Sequence, residues 1–419
     1  MIRKIEALNY RCLHDIQQEV STFQVLVGPN GSGKSTFLDV PLFLRDLLRD
    51  GLQAATGNRT SRPGDLVWMG REIPFELAIE AEIPRERRKR LKLKEADRCR
   101  YEISVGADGE GNLALLSETL WLKATSSREP EARTPLLFPE SRASRPSLLE
   151  KKDLRAREPR SRRKVVTKTS GGNHSFHAET TDWNNPFRLG PQKAGLANLP
   201  EDEDRFPVAV WFKGFLMEGL QKLVLESEAM RNSSPPIAAQ GFLPDGSNLP
   251  WVVDRLQRNP DRFHAWVNHV REAIADLQTV ETVVREEDRH RYLLASLQNG
   301  LKAPSWTLSD GTLRLMALTL IAYTEDPGRV FLIEEPENGI HPRAMETVLQ
   351  SLSSAYEKQV FCASHSPLVL SMVRPEEILC FAKTSDGATD IVQGRDHPAL
   401  RDWKGEVDLG SLYAAGVLS

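Results

Sequence analysis

The sequence predicts an α/β fold from three features. A glycine-rich turn at residues 28–35 stands between an apolar strand and an apolar helix. Two apolar, β-branched runs at 330–333 and 360–363 each end in charged or polar residues, which is typical of buried parallel strands. Alternation of apolar and polar residues predicts three antiparallel strands, at 75–80, 101–105 and 113–122.

The remaining elements follow in chain order. Apolar residues at positions 2, 5 and 8, and then the run 23–27, predict an opening strand pair that ends in the glycine-rich turn. Residues 36–48 have an almost wholly apolar face and predict the helix that follows this turn. Asn259 and Pro260 predict the N-cap and first turn of a second helix. Its apolar face comprises Phe263, Trp266, Val267, Val270, Ile274 and Leu277.

Residues 125–205 differ from the rest of the chain, because they are rich in proline, serine and arginine and contain few aromatic residues before Phe176. Such a composition predicts an insertion that interrupts the fold. The sequence therefore divides into four parts. These are an N-terminal part with the glycine-rich turn and antiparallel strands (1–124), a basic, proline-rich insertion (125–205), a helical lobe (206–300) and a C-terminal part with the other strand ends (301–419).

The composition is that of a globular protein, with 40% hydrophobic and 27% charged residues among 419. The net charge of −3 excludes a globally basic nucleic-acid binder. The longest apolar run, near 315–322, is far shorter than the roughly 20 residues that span a bilayer. The first residues resemble a strand and not a secretory leader, so we expect a cytoplasmic protein without membrane contact. Four scattered cysteines favour buried thiols over a disulfide framework or a zinc site.

Residues 28–35 fit the pattern G-x-x-x-x-G-K-[ST] and occur between a strand and a helix, as that pattern requires. The glycines let successive backbone N–H groups turn toward a phosphate chain, and the helix N-terminus adds partial positive charge. We expect Lys34 to bridge the outer phosphates and the Ser35 hydroxyl to ligate Mg²⁺. The predicted nucleotide-binding residues here are Gly28, Pro29, Asn30, Gly31, Ser32, Gly33, Lys34, Ser35 and Thr36.

Two strand ends supply further candidates. Glu334 and Glu335 follow the run 330–333, where carboxylates can hold Mg²⁺ and polarise an attacking water. We assign Glu334 to the metal and Glu335 to the water; the alternative is two solvated acids. His365 follows the second run and can donate a hydrogen bond to the terminal phosphate, although a lone histidine there is usually structural.

A polar turn at 308–312 precedes the apolar helix 313–323. This second helix N-terminus is remote in sequence from the first, which suggests that two loops bind one nucleotide through residues that include Ser309 and Gly311. The alternative is a simple helix cap.

In this order, the motifs resemble an ABC-type ATPase head of the SMC and RecF kind, specifically the OLD-like AAA ATPases of bacterial genome-maintenance and phage-defence operons. The resemblance identifies 28–36 as Walker A, 308–312 as the signature loop, 332–335 as Walker B, 337–341 as the D-loop and His365 as the H-loop. It implies a P-loop NTPase with a RecA-like core sheet flanked by helices, an antiparallel β lobe and a helical lobe that carries the signature loop. ATP and Mg²⁺ are the implied cofactors.

The resemblance also implies a homodimer or higher homo-oligomer. In such heads, Ser309 and Gly311 of one subunit cap the nucleotide held by the other, so that ATP joins two heads and hydrolysis releases them. The chain departs from the pattern at two points: the signature reads Ser-Asp-Gly-Thr in place of Ser-Gly-Gly-Gln, and Glu334 stands at the usual aspartate. The Q-loop glutamine has no assigned position.

Relatives of the OLD type carry a Toprim nuclease after the ATPase, whereas only the short segment 368–419 follows Pro367 here. We therefore expect a separate effector protein, with a Toprim-like nuclease as one candidate. The apolar segment 409–418 either binds that partner or packs on its own head.

Local charge makes double-stranded DNA a candidate partner. Residues 85–100 and 127–168 both contain a large excess of arginine and lysine over acids, although the whole chain is slightly acidic. Two basic segments can bind a phosphate backbone without sequence preference. The alternative is a solvated charge run and a loop, since neither segment interleaves aromatic residues.

Three interpretations of function follow. The first is a DNA-linked ATPase switch that controls an effector, in anti-phage defence. The second is an ATP-dependent scaffold that holds or assembles a partner with little turnover, or a RecF-like repair ATPase. The third, a transporter subunit, is disfavoured by the long separation between Ser35 and Ser309.

Overall fold

The computed structural model describes residues 1–125, 137–141, 143–150, 161–170, 172, 174–236, 241–401, 403, 405 and 407–418. The strands are β1 (Ile2–Tyr10), β2 (Leu13–Glu19), β3 (Phe23–Val27), β4 (Phe75–Glu82), β5 (Arg98–Ala107), β6 (Leu113–Lys123), β7 (Arg162–Thr169), β8 (His174–His177), β9 (Asn184–Phe187), β10 (Leu220–Leu223), β11 (Leu277–Val284), β12 (Arg291–Leu297), β13 (Lys302–Pro304), β14 (Val330–Glu334), β15 (Gln359–Ala363), β16 (Ile378–Lys383) and β17 (Thr389–Gln393).

The α-helices are α1 (Lys34–Asp50), α2 (Leu52–Gly57), α3 (Arg85–Arg88), α4 (Pro207–Gly219), α5 (Ser227–Arg231), α6 (Leu249–Gln257), α7 (Pro260–Ala273), α8 (Asp310–Leu320), α9 (Pro342–Ser353), α10 (Pro367–Ser371) and α11 (Leu409–Ala414). None of the helices in the described residues is long and apolar enough to cross a membrane.

The chain forms two compact units. The first comprises Met1–Ser21, Gly28–Leu220 and Leu379–Asp402, and the second comprises Thr22–Val27, Gln221–Ile378 and Trp403–Ser419. The four-part division expected from the sequence rests on composition and motifs, whereas these units are defined by compactness. The four-part division therefore stays a prediction.

An antiparallel sheet of eight strands dominates the first unit, in the order β2-β1-β4-β5-β6-β7-β8-β9. The three strands expected from alternation are confirmed as β4, β5 and β6. The expected opening strand pair is corrected, because β1 pairs with β2 and β4, and β3 belongs to the second unit. The sequence analysis did not single out β2, whose apolar residues alternate with polar ones over only a short stretch.

Three strands of the segment 125–205 belong to this sheet. β7, β8 and β9 extend it beyond β6 by antiparallel pairing. Residues 126–136, 142, 151–160, 171 and 173 lie outside the described residues, and they include much of the second basic segment.

Residues 143–150, which we call the strap, cross the sheet through polar contacts. The Arg145 guanidinium contacts the Asp15 carboxylate at 2.6 Å, and the Ser147 hydroxyl donates to Glu76 at 2.8 Å. The buried Arg100 guanidinium donates to the Leu148 carbonyl at 3.1 Å and to Glu102 at 2.8 Å. These charged groups lie in the face of the sheet, away from water. The hydrogen bonds to the strap replace those that water would otherwise make.

The second unit contains the parallel strands β14, β15 and β3. β14 pairs with β15, and β15 pairs with β3, both in parallel. Every residue of β15 and of β3 is buried, which explains why their sequences are apolar except for one glutamine in each strand. A small antiparallel sheet, β11-β12-β13, lies in the same unit.

The helix predicted from Asn259 is confirmed as α7. The Asn259 side chain accepts a hydrogen bond from the Arg262 N–H, and Pro260 occupies the first turn. Its predicted apolar face is too long, because α7 ends at Ala273 and Leu277 begins β11. Ile274 leaves the helical conformation, with φ at −123°, so the apolar spacing beyond it reflects a strand.

The segment 409–418 packs on its own unit. Helix α11 lies against α10, and Leu409 and Leu418 are buried. Gly410 lies so close to the Pro367 carbonyl oxygen that a Cβ at Gly410 would be 2.1 Å from it. Of the two expectations for this segment, the structure supports packing on its own head.

Candidate nucleotide site

The glycine-rich loop follows β3 along the chain and leads into α1. Gly28, Gly31 and Gly33 all have positive φ, at 146°, 74° and 106°. A Cβ at Gly28 would lie 2.1 Å from the Phe381 carbonyl oxygen, and one at Gly33 would lie 2.3 Å from the Thr389 Oγ1. Both backbone conformation and close packing therefore require glycine at positions 28 and 33.

Lys34 lies over the loop that precedes it. Its buried ammonium donates hydrogen bonds to the Gly28 carbonyl at 2.7 Å and to the Pro29 carbonyl at 3.0 Å. The start of α1 has no side-chain cap and no acid in its first turn, so its partial positive charge is not offset locally. This arrangement favours an anion at the loop.

The other loop residues fit a phosphate chain with its metal. Asn30 and Ser35 are exposed, and Ser35 presents its hydroxyl at the helix start, where Mg²⁺ would need an oxygen ligand. Within the described part of the chain, the buried Ser32 hydroxyl oxygen has no hydrogen-bond partner. The Thr36 hydroxyl accepts a weak bond from the Cys12 thiol at 3.5 Å. The positive-φ backbone of the loop and this unpartnered hydroxyl both fit a polyphosphate ligand.

The hairpin of β16 and β17 packs against this loop and is hydrogen-bonded to it. The Thr389 hydroxyl donates to the Ser32 carbonyl at 2.8 Å, and the Thr389 N–H donates to the Cys12 carbonyl at 2.9 Å. The Lys383 ammonium lies 3.8 Å from where a Cβ at Gly31 would stand. Sequence reasoning missed this support, because Thr389 and Ser32 are 357 positions apart and neither carries a local signal for the other.

The predicted carboxylates stand at the end of β14 in the second unit. Glu334 is its last residue, and the Glu334 carboxylate contacts the Lys222 ammonium at 3.2 Å. Glu335 follows with φ at 49°, a left-handed conformation that costs a non-glycine residue about 1–3 kcal/mol. Its N–H donates to the Ala363 carbonyl of β15 at 2.8 Å, and its carboxylate accepts from the Asn338 side-chain amide. Strain of this kind is concentrated at functional sites.

Glu337 fixes the turn that carries His365. One Glu337 carboxylate oxygen accepts from the Ser364 hydroxyl at 2.6 Å and from the His365 N–H at 3.4 Å. The Ser366 N–H donates to the Ser364 hydroxyl at 3.0 Å. The other Glu337 oxygen is buried without a hydrogen-bond partner among the described residues. The structure thus brings the predicted D-loop to the half-buried histidine at the end of β15.

The predicted signature turn begins α8. Ser309 is its N-cap, and the Ser309 hydroxyl accepts from the Thr312 N–H at 3.2 Å. A Cβ at Gly311 would lie 2.5 Å from the Gly339 carbonyl oxygen, so glycine at 311 is required by packing within the chain. Ser309 is therefore a helix cap, as the alternative interpretation expected. Its role in nucleotide binding stays a prediction.

Lys358 secures the other end of α8. Its buried ammonium donates to the Ile321 carbonyl at 2.8 Å and to the Thr324 carbonyl at 2.6 Å. Burial lowers the pKa of this ammonium to about 8. Both ends of the helix that carries the signature turn are therefore held by side chains.

A pocket of about 290 Å³ opens beside Glu334 within the second unit. It is lined by Lys222, Arg314 and apolar residues of β10, α8 and β14. Lys222 contacts the Glu334 carboxylate, whereas the Arg314 guanidinium donates to the Leu225 carbonyl at 3.1 Å, so this pocket is part of the environment of Glu334.

The predicted site residues are divided between the two compact units. Residues 28–36 belong to the first unit, and Ser309, Gly311, Glu334, Glu335 and His365 belong to the second. Within the second unit, the ends of β14 and β15 bring Glu335 and the turn that carries His365 to the same edge of the parallel strands.

The basic segment 85–100 is compensated by acids of its own unit. Arg87 contacts Glu203 at 3.3 Å, Arg88 contacts Glu82 at 3.3 Å, and Arg90 and Lys92 pair with Asp204 and Asp182. Sequence reasoning counted charge along the chain only, whereas these acids come from other segments. Direct DNA binding by this segment stays a prediction, and the pairing lowers the charge available for it.

A glycine-rich phosphate loop before a helix, with carboxylates at the end of a buried parallel strand, defines a P-loop NTPase. The chain belongs to the AAA-domain ATPase family whose description is "AAA domain, putative AbiEii toxin, Type IV TA system", which matches residues 23–371. A search among curated proteins found no match.

Solved SMC heads have a similar fold. An SMC head crystallised with the C-terminal winged-helix domain of ScpA has a TM-score of 0.52 and 15% identity, over 93% of this chain and 96% of that one. An SMC head from Pyrococcus furiosus with an extended coiled coil, bound to the C-terminal domain of ScpA, has a TM-score of 0.51 and 13% identity, over 93% and 95%. At this identity the likeness shows the fold alone, and it confirms the ABC-type head fold expected from the motifs.

Proposed function

We propose that this protein binds ATP with Mg²⁺, pairs with a second copy of itself while ATP is bound, and hydrolyses ATP to separate the pair. The observation that carries the proposal is the phosphate loop, whose glycine-only geometry leads into an uncapped helix that begins with Lys34 and the exposed Ser35. The cycle is a switch that controls a separate effector protein.

Each predicted residue has a distinct task in this cycle. Lys34 exchanges its bonds to the loop carbonyls for the outer phosphates, and Ser35 offers a ligand to Mg²⁺. Glu334 is the second candidate ligand, and it must share its carboxylate with Lys222. When bound, Mg²⁺ would neutralise the developing charge on the phosphates.

Hydrolysis requires a positioned water and a stabilised terminal phosphate. Glu335 is suited to orient and polarise the water, because its backbone is fixed by the bond to Ala363. His365 is suited to donate to the terminal phosphate from a turn that Glu337 holds. The Glu335 carboxylate would leave Asn338 to act as a base.

The signature turn and the resemblance to ABC heads support the proposed pairing. Ser309 and Gly311 of one copy would cap the nucleotide of the other, as the resemblance to ABC heads implies. The two SMC heads named above are bound to ScpA domains, which supports a second protein as partner of a head of this fold.

A variant that binds ATP without hydrolysing it tests the switch. We expect Glu335→Gln with ATP and Mg²⁺ to run as a dimer in size-exclusion chromatography with light scattering, and as a monomer with ADP. The matched control is the double variant Lys34→Ala, Glu335→Gln, which should remain a monomer because the phosphates lose their cation. A Glu335→Gln protein that binds ATP and stays monomeric would refute ATP-linked pairing.

The finer role is a DNA-linked switch in anti-phage defence. The resemblance to OLD-like ATPases supports it, and a Toprim-like nuclease or a toxin is the effector class we expect. DNA contact would depend mainly on 127–168, since Arg87, Arg88 and Arg90 of the other basic segment are paired with acids. Stimulation of the ATPase rate by double-stranded DNA would support this role.

A scaffold with slow turnover is the second candidate. Two observations favour it: Glu334 is paired with Lys222, and Glu335 is engaged by Asn338. Both carboxylates must therefore give up a partner before they act on Mg²⁺ or water. An ATPase rate that is slow and insensitive to DNA, with a partner retained in the ATP state, would favour the scaffold over the DNA-linked switch.

A further inference from the structure

Arg231, the last residue of α5, contacts the turn that leads into α8 through both its side chain and its backbone. Its guanidinium donates to the Leu308 carbonyl at 3.3 and 3.2 Å and contacts the Asp310 carboxylate at 2.5 Å. Its own carbonyl accepts from the Ser305 hydroxyl at 2.9 Å. Backbone and side chain of one arginine therefore both hold the segment 305–310.

Asp310 makes this contact chemically significant. It stands in the first turn of α8, directly between the two residues expected to cap a phosphate chain. An uncompensated carboxylate there would repel a polyphosphate, because like charges at a few ångströms disfavour each other. The Arg231 guanidinium neutralises that carboxylate and leaves Ser309 and Gly311 next to a net neutral pair.

The turn is fixed on its other side by packing. Gly311 lies against the Gly339 carbonyl oxygen closely enough to exclude a Cβ. Arg231 on one side and residue 339 on the other thus define where Ser309 stands. No other guanidinium contacts Asp310 or the Leu308 carbonyl among the hydrogen bonds and ion pairs of the described residues.

We infer that Arg231 is a positioning residue for ATP-dependent pairing, which acts by fixing the signature turn and by neutralising Asp310. The inference rests on the proposed function, because it needs the turn to meet nucleotide held by a second copy. It assigns no phosphate contact to Arg231 itself.

The test uses the Glu335→Gln background, in which pairing can be measured without turnover. We expect Arg231→Ala to leave the ATP affinity of the single chain nearly unchanged and to weaken ATP-dependent dimerisation about tenfold, the effect of removing one charged hydrogen bond. The reciprocal variant Arg231→Asp with Asp310→Arg restores the ion pair, and we expect it to recover much of the dimerisation. Arg258→Ala, which removes an exposed arginine from an ion pair with Asp254 in the same unit, is the matched control and should dimerise normally.

The outcomes separate the inference from the proposed function. If Glu335→Gln alone fails to dimerise with ATP, the proposed function is wrong. If it dimerises and Arg231→Ala dimerises equally well, the positioning role is wrong. If the reciprocal variant folds, as judged by an unchanged melting temperature, but recovers no dimerisation, a direct contact of Arg231 with phosphate replaces the inference. A merely structural arginine would lower the melting temperature and the ATP affinity together.

Discussion

Thr389→Val tests whether the β16–β17 hairpin shapes the phosphate loop. The substitution keeps the branched shape of a buried side chain and removes the hydroxyl that donates to the Ser32 carbonyl at 2.8 Å. A buried carbonyl that loses its donor costs about 1–3 kcal/mol, and the loop can relieve this cost by moving away from the shape that fits phosphate. The apparent affinity for ATP falls in proportion to the fraction of molecules whose loop keeps the conformation that binds phosphate.

We therefore expect Thr389→Val to weaken ATP binding roughly tenfold, since about 1.4 kcal/mol corresponds to a factor of ten. Isothermal titration calorimetry with ATP and Mg²⁺ on the full chain measures this change. Thr389→Ser retains the hydroxyl and should bind nearly as the parent does.

Thr384→Val is the matched control for hairpin stability. Thr384 is also buried, and its hydroxyl donates to the Ala388 carbonyl at 3.0 Å, within the hairpin and away from the loop. Both valine variants should lower the melting temperature slightly, whereas only Thr389→Val should weaken ATP binding. Equal ATP affinity in the parent and Thr389→Val, or equal losses at both positions, would refute the role of the hairpin.

Two further predictions concern charge. Burial raises the pKa of Glu179 to about 7 from 4.5, although the Val208 and Ala209 N–H groups donate to its carboxylate. The folded state therefore binds this proton more tightly than the unfolded state does. This binding adds up to about 3 kcal/mol to the free energy of unfolding below the unfolded pKa, and the contribution is lost as the pH rises through 7. Urea unfolding from pH 5 to 8 should show this loss in the parent and not in Glu179→Gln; parallel pH profiles would contradict it. Lys222→Ala frees Glu334, so the Mg²⁺ concentration that half-saturates ATP-dependent thermal stabilisation should fall by up to about fivefold. An unchanged or higher Mg²⁺ requirement would exclude competition between Lys222 and the metal.

Local patterns were sufficient for much of the fold. Alternation identified β4, β5 and β6 because their apolar residues share one face, although polar residues of the other face, such as Glu102 and Glu118, are buried as well. Apolar runs identified β14 and β15 because both of their faces are covered. The same reasoning failed for β7, which reads Arg-Arg-Lys-Val-Val-Thr-Lys-Thr inside a basic, proline-rich segment. Its pairing with β6 and the burial of Val165 and Val166 decide its structure, and neither is encoded in its composition.

The candidate site was predictable to a similar extent. The residues that touch phosphate or metal in P-loop proteins lie in short motifs, so positions 28–36 could be proposed from the motif pattern, and 334 and 335 from their place at the end of an apolar strand. The residues that hold those motifs could not be named in this way. Thr389, Arg231 and Lys222 are remote in sequence from the groups they contact, and their roles depend on which segments the tertiary structure brings together.

This distinction changes how the glycines of the phosphate loop should be interpreted. Sequence reasoning assigned them to the approach of a phosphate chain. The structure gives Gly28 and Gly33 a second reason, since the hairpin leaves no room for a Cβ at either position even without a nucleotide. Loss of ATP binding on alanine substitution at these positions would therefore report a displaced hairpin as readily as a lost phosphate contact. Ser35 is free of this ambiguity, because its side chain is exposed and its replacement with alanine adds no atom to the loop. Lys34→Ala also adds no atom, but it removes the hydrogen bonds to the Gly28 and Pro29 carbonyls together with any phosphate contact. Ser35 is therefore the position at which substitution isolates nucleotide chemistry.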